Sequence, residues 1–124
     1  MGRLIVDGSN VLGARPDGWW RDRAGARVRL TVAIDAAAPA LAQALLGDPD
    51  APVLVVHDGP ALAMQVLRVD VRFAPVADDL IAALATAHDL VVTSDRELAE
   101  RATARGAGTL GAGRFRCLLD EAEA

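Results

Sequence analysis

At 124 residues the chain is about one domain's worth of sequence, and 17 acidic against 13 basic side chains leave a formal net charge of −4. With 52 % hydrophobic residues and a mean hydropathy of +0.26 it is too apolar for a disordered chain, while no run approaches the roughly 18 to 20 consecutive apolar residues of a membrane span. The acidic balance argues against a protein that binds nucleic acid through overall positive charge, although it leaves room for a local basic strip.

Met1-Gly2-Arg3, followed at once by Leu4–Val6 and Asp7, is too short and too soon acidic for a signal peptide, and reads as the start of a strand. Cys117 is the only cysteine, so no internal disulfide is available and nothing asks for an oxidising compartment; a cytoplasmic location is expected. Four apolar runs recur: Leu4–Val6, Val53–Val56, Val69–Phe73 and Leu90–Val92. The first, second and fourth are unbroken, as in strands buried on both faces of a parallel sheet; the third alternates, which suits an edge. Between them lie predicted helices over Thr31–Leu46, Ala77–His88 and Asp95–Arg105, with Pro39 expected to kink or split the first. A short strand over Gly108–Leu110 and a helix over Arg114–Ala122 complete the series. The glycines at 106, 108, 111 and 113 fit a turn after a helix better than a phosphate loop, because no Lys-Ser/Thr follows them. The alternation of strand and helix predicts one α/β domain over 1–124.

In open parallel sheets, ligands bind beyond the carboxyl ends of the strands. Each run here is followed by acid: Asp7-Gly-Ser-Asn10 after the first, His57-Asp58-Gly59 after the second, Asp78-Asp79 at a helix start after the third, and Thr93-Ser94-Asp95 after the fourth. Any one of these has an ordinary structural reading, since Asp forms turns and caps helices, and Asp78 is placed to cap a helix beginning near Leu80. Four together are costly, because crowded carboxylates repel unless a cation neutralises them. With no Cys or His cluster the ligand set is all oxygen, which suits Mg²⁺ or Mn²⁺ rather than Zn²⁺. His57 reads as an ordinary hydrogen-bonded residue. Carboxylate-held Mg²⁺ serves nuclease or phosphatase chemistry, and Asp-Gly-Ser at 7–9 lacks the Asp-x-Asp of aspartyl-phosphate phosphatases.

These residues resemble the YacP-like NYN branch of the PIN-domain ribonucleases. The matching pieces are Leu4–Leu12, Val55–Gly59, Ala77–Ile81, Val91–Leu98, Gly106–Gly108 and Arg114–Asp120, in the family's order and over nearly the whole chain. The resemblance implies a three-layer α/β/α sandwich of PIN-like (NYN) fold with a mostly parallel central sheet. It also implies an endoribonuclease in which Asp7, Asp78 and Asp95, with Asp58, hold one or two Mg²⁺ or Mn²⁺ ions. A water activated there would hydrolyse the RNA phosphodiester to a 5′-phosphate and a 3′-hydroxyl. Asn10 would orient Asp7 or touch substrate. Asp79 adjoins Asp78 on a helix, so the two cannot point the same way, and Asp78 is favoured. Thr93 and Ser94 read as supporting or phosphate contacts, or as ordinary turn hydroxyls; Arg96 reads as a phosphate contact or a surface residue. Glu97 stands where many PIN-like proteins carry a further Asp.

The stretch from Gly13 to Leu30 departs from the pattern, yet it holds Arg15, Arg21, Arg23, Arg27 and Arg29 with Trp19 and Trp20. It reads equally as a contact for single-stranded RNA or as a solvated loop and helix whose tryptophans cover the core or a partner. RNA is thus the expected partner, and the ribosome a further candidate. The rival function is an RNA- or ribosome-binding module with a weak or inactive acidic site. A phosphoacceptor signalling domain is disfavoured by the absence of any lysine.

Overall fold

The computed structural model describes residues 2–123. Its centre is a sheet of five parallel strands in the order β3-β2-β1-β4-β5: β1 (Arg3–Asp7), β2 (Val53–Asp58), β3 (Asp70–Ala74), β4 (Asp89–Val92) and β5 (Gly108–Leu110). The unbroken apolar runs are explained by burial on two faces. Leu4, Val6, Val53, Val55 and Val92 enter one core, whereas Ile5, Leu54, Val56 and Val91 enter the other. The alternating β3 takes an edge. Helices α1 (Gly8–Gly13), α2 (Arg23–Leu46) and α5 (Ala112–Glu123) cover the first face; α3 (Ala77–Leu84) and α4 (Arg96–Ala104) cover the second. The result is an α/β/α sandwich. From β1 the chain moves outward to β2 and β3, then returns to place β4 on the other side of β1. Strand order therefore reverses between β1 and β4, where such sheets open a crevice at their carboxyl ends.

Several boundaries differ from those the sequence suggests. α1 was not anticipated, the sequence assigning no element to these residues, but Asp7 caps it and it winds for six residues. α2 starts at Arg23 rather than Thr31, because Asp22 accepts a hydrogen bond from the Gly25 N–H at 3.0 Å and so caps a helix that an internal glycine disguises. Pro39 sits inside α2 without splitting it. Leu30, Ile34, Ala38, Leu41 and Ala42, on both sides of the proline, bury against the sheet, and that packing outweighs the lost backbone bond. By length and composition α2 would reach across a membrane; here nine of its residues are buried in the fold.

One of those nine is Asp35, whose carboxylate accepts the backbone N–H groups of Leu67 (3.0 Å), Arg68 (2.6 Å) and Val69 (3.0 Å). These bonds hold its charge below the usual carboxylate range despite burial, and they pin the helix-free crossover from β2 to β3. α3 ends at Leu84 instead of His88, since the Asp89 carboxylate draws Thr86 into a turn leading to β4. α4 ends in a turn through Gly106, whose φ of 88° is left-handed, in keeping with the turn expected of these glycines. α5 begins two residues earlier than expected, at Ala112, where the Ser94 hydroxyl accepts the Ala112 N–H at 2.8 Å.

Candidate active site

The carboxyl ends of the strands bring Asp7, Asp58 and Asp95 to one edge, and α3 adds Asp78 in its first turn. Asp7 is 2 % exposed and has two donors: the Asn10 N–H to Oδ1 at 3.3 Å and the Thr93 hydroxyl to Oδ2 at 2.9 Å. The Thr93 hydroxyl in turn accepts the Asp95 N–H at 3.1 Å, and the Asn10 side-chain oxygen accepts the Ser94 N–H at 2.7 Å. Thr93 and Asn10 thereby stitch the end of β1 to the end of β4 across the reversal point. Asp95 caps α4 through Oδ1 and the Leu98 N–H at 3.1 Å.

Asp58 has a similar double position. Its Oδ1 accepts the Ala77 N–H at 2.7 Å and so caps α3, where the local residue Val76 offers no side-chain cap. The Ser9 hydroxyl takes its backbone N–H at 3.2 Å. Asp78, by contrast, neither caps its helix nor receives a hydrogen bond from an N–H among the described residues. Burial pushes the Asp7 carboxyl up from its ordinary 3.8 to about 6, against the pull of Thr93 and Asn10, and the charges of Asp78 and Asp58 add to the rise. Asp78 is also raised, first by burial and then by Asp95 and Asp58. These mutual effects are the signature of carboxylates gathered along one edge. Nevertheless, among the described residues no three Asp, Glu, His or Cys side chains stand close enough to hold one metal ion jointly.

The other candidates are distributed around this edge. Asp79 turns away to pair with Arg101 of α4 at 3.0 Å, at the surface. Arg96 and Glu97 are exposed in the first turn of α4, and Ser94 is exposed beside them. The arginine-rich stretch divides by function. Arg15 pairs with Asp120 and Arg29 with Asp22, while Arg23 lies 5.4 Å from the centre of the Trp19 ring. Trp19 packs against the core and meets Trp20 edge-on at 5.8 Å; Trp20 is 47 % exposed.

His57 is fully buried, stacked on Phe73 and linked to the Thr31 hydroxyl at 2.8 Å. Because that hydroxyl donates to the Arg27 carbonyl at 2.7 Å, it accepts from His57, which assigns the ring proton to Nε2 and leaves Nδ1 unprotonated and without a partner. Burial, aided by the Arg27 charge, pushes the imidazole down to about 4, so the ring is neutral near pH 7. It packs against Gly8 so closely that a Cβ there would lie 2.5 Å from Nδ1 and Cε1. A glycine directly after the first acid is the sequence signal for this contact.

No family model and no curated protein matches the chain. Among solved structures it is similar to Rae1 (YacP) from Bacillus subtilis, at 26 % identity and a TM-score of 0.71, and to a tryptophan-to-leucine mutant of that protein, at 31 % identity and a TM-score of 0.68. Each alignment covers 99 % of this chain and 76 % of the other. At this identity, coverage and TM-score the chain belongs to the YacP-like family of NYN, PIN-like domains, a ribonuclease-type fold.

Proposed function

We propose that the chain is a divalent-cation-dependent endoribonuclease that hydrolyses RNA phosphodiester bonds at the edge formed by Asp7, Asp58, Asp78 and Asp95. The observation that carries this reading is the gathering of four carboxylates at one edge, where burial first and the neighbouring acids second push Asp7 and Asp78 up, a cost that a bound cation would relieve. The donors fit a hard cation held by one or two carboxylates and its own waters, the habit of Mg²⁺, rather than a closed protein cage. Asp78 and Asp95 would hold Mg²⁺ or Mn²⁺, with Asp7 and Asp58 alongside. When bound, the ion supplies neutralisation of phosphate charge and an activated water.

The chain's own groups supply the rest. Thr93 and Asn10 fix the Asp7 carboxylate; with its pKa at about 6 it is ionised about ten to one at pH 7. Asp58 and Asp95 each spend one oxygen on a helix cap, so the caps lock the direction of the oxygen that remains. The exposed Ser94 hydroxyl and the Arg96 guanidinium border this edge as phosphate contacts. The absence, among the described residues, of three preassembled ligands favours, as a second reading, a module that binds RNA or the ribosome with little activity.

Cleavage of structured and single-stranded RNA with Mg²⁺ or Mn²⁺ tests the proposal, with chelator and Asp7→Asn as controls. Cation-dependent cleavage lost in Asp7→Asn is expected. Cleavage that survives Asp7→Asn removes the assignment, and RNA binding without cleavage selects the second reading.

A further inference from the structure

Among the described residues Arg27 is the arginine that is neither exposed nor partnered; Arg21, Arg68, Arg72, Arg96 and Arg114 also lack a partner but are exposed. Arg3, Arg15, Arg29, Arg101 and Arg116 each have a carboxylate within 4.0 Å, Arg105 donates to the Ala85 carbonyl, and Arg23 lies over Trp19. Among the described residues the Arg27 guanidinium has no hydrogen-bond or ion-pair partner, although the residue is half-buried and its backbone is held. Its carbonyl accepts the Thr31 hydroxyl, which is itself fixed by the buried His57. The first turns of α2 are thereby braced against β2.

The guanidinium reaches the carboxyl end of β2. A Cβ built at Gly59, the residue after Asp58, would stand 3.4 and 3.8 Å from its two terminal nitrogens. Gly59 is in the left-handed region at φ 98°, so glycine suits this position for its backbone, and the distances place the Arg27 guanidinium in van der Waals reach of the turn after Asp58. Asp58 does not satisfy Arg27: among the described residues no carboxylate oxygen, that of Asp58 included, lies within 4.0 Å of its guanidinium. A half-buried arginine with its backbone held and its guanidinium donors unspent, beside an anionic edge, matches a phosphate that enters between the two; the planar fork suits phosphate oxygens in pairs.

We propose that Arg27 is a substrate-binding residue that grips a backbone phosphate of single-stranded RNA beside the acid edge. This rests on the reading of that edge as a ribonuclease site. Arg15 and Arg29 of the same arginine-rich stretch are spent on surface ion pairs and make no such contact.

The test uses the full chain and a short fluorescein-labelled oligouridylate. Binding is followed by anisotropy in chelator across a salt series, and steady-state cleavage is followed with Mn²⁺. Arg27→Ala should weaken binding about tenfold and lower the salt dependence by about one phosphate contact. Arg27→Lys should retain part of the affinity, and Arg29→Ala should bind as the wild type does. In cleavage, Arg27→Ala should raise KM with kcat changed less than about twofold. Wild-type affinity and salt slope in Arg27→Ala would overturn the inference, as would an equal loss in Arg29→Ala. Binding that depends on Arg27 without any cleavage by the wild type leaves the inference standing and removes the nuclease reading; cleavage indifferent to Arg27 does the reverse.

Discussion

Asp7→Asn should make this protein more stable near neutral pH while removing its activity. Asp7 is 2 % exposed, and its carboxyl moves from 3.8 to about 6 on folding. At about 1.4 kcal/mol per pH unit, ionised Asp7 costs the fold about 3 kcal/mol. The sign follows from linkage: between pH 3.8 and 6 the folded state holds a proton the unfolded state has lost, so stability falls as pH rises through that window. His57 acts oppositely. Its imidazole is pushed from 6.5 to about 4, so the unfolded state binds the extra proton and stability rises with pH over pH 4 to 6.5, also by about 3 kcal/mol. In the wild type the two contributions nearly cancel. Asp7→Asn leaves His57 alone, at the expense of about 1 kcal/mol for an amide nitrogen facing a donor, an offset that does not vary with pH.

Urea denaturation of both proteins in chelator, from pH 4.5 to 7.5, should therefore give a nearly flat wild-type curve and a climbing variant curve. Their difference should grow by about 2 to 3 kcal/mol in favour of the variant. Parallel curves would refute the reasoning that burial among carboxylates strains Asp7.

Other changes read other contacts. Gly8→Ala places a methyl group 2.5 Å from the buried His57 ring, and should destabilise by about 1 to 3 kcal/mol in thermal denaturation. Asp35→Ala strands three backbone N–H groups at residues 67 to 69; a loss of about 2 to 4 kcal/mol is expected, with faster hydrogen exchange confined first to the crossover around residues 60 to 69. Thr93→Val removes a bond that lowers the Asp7 pKa, so the acidic limb of the pH–rate profile should move to higher pH. Asp79→Ala breaks only a surface pair with Arg101, costing under about 1 kcal/mol and sparing cleavage, whereas Asp78→Ala should abolish it.

The strands were legible because residues such as Leu4–Val6 and Val53–Val56 face two cores and cannot alternate, and β3 was legible as an edge because it does. The rim of acids followed from the same reasoning, since each strand end is read one after another along the chain. What sequence order conceals is the pairing between distant turns. Asp58 caps a helix 19 residues away, and Thr93 donates to an aspartate 86 residues before it. Local rules also misjudged elements that tertiary contacts decide. Pro39 is carried through by packing on both sides of it, and α1 exists because Asp7 spends its Oδ1 on the Asn10 N–H. How closely the acids approach one another was not legible, because the elements that carry them are positioned by contacts far apart in sequence; among the described residues no three stand close enough to hold one ion jointly.

The most direct test of the account is the chemistry of the ends left on RNA by the purified chain with Mn²⁺, compared with Asp78→Asn prepared identically. Hydrolysis at the acid edge predicts 5′-phosphate and 3′-hydroxyl ends from the wild type and no cleavage by the variant. Cyclic 2′,3′-phosphate ends, or the same products from Asp78→Asn, would contradict it.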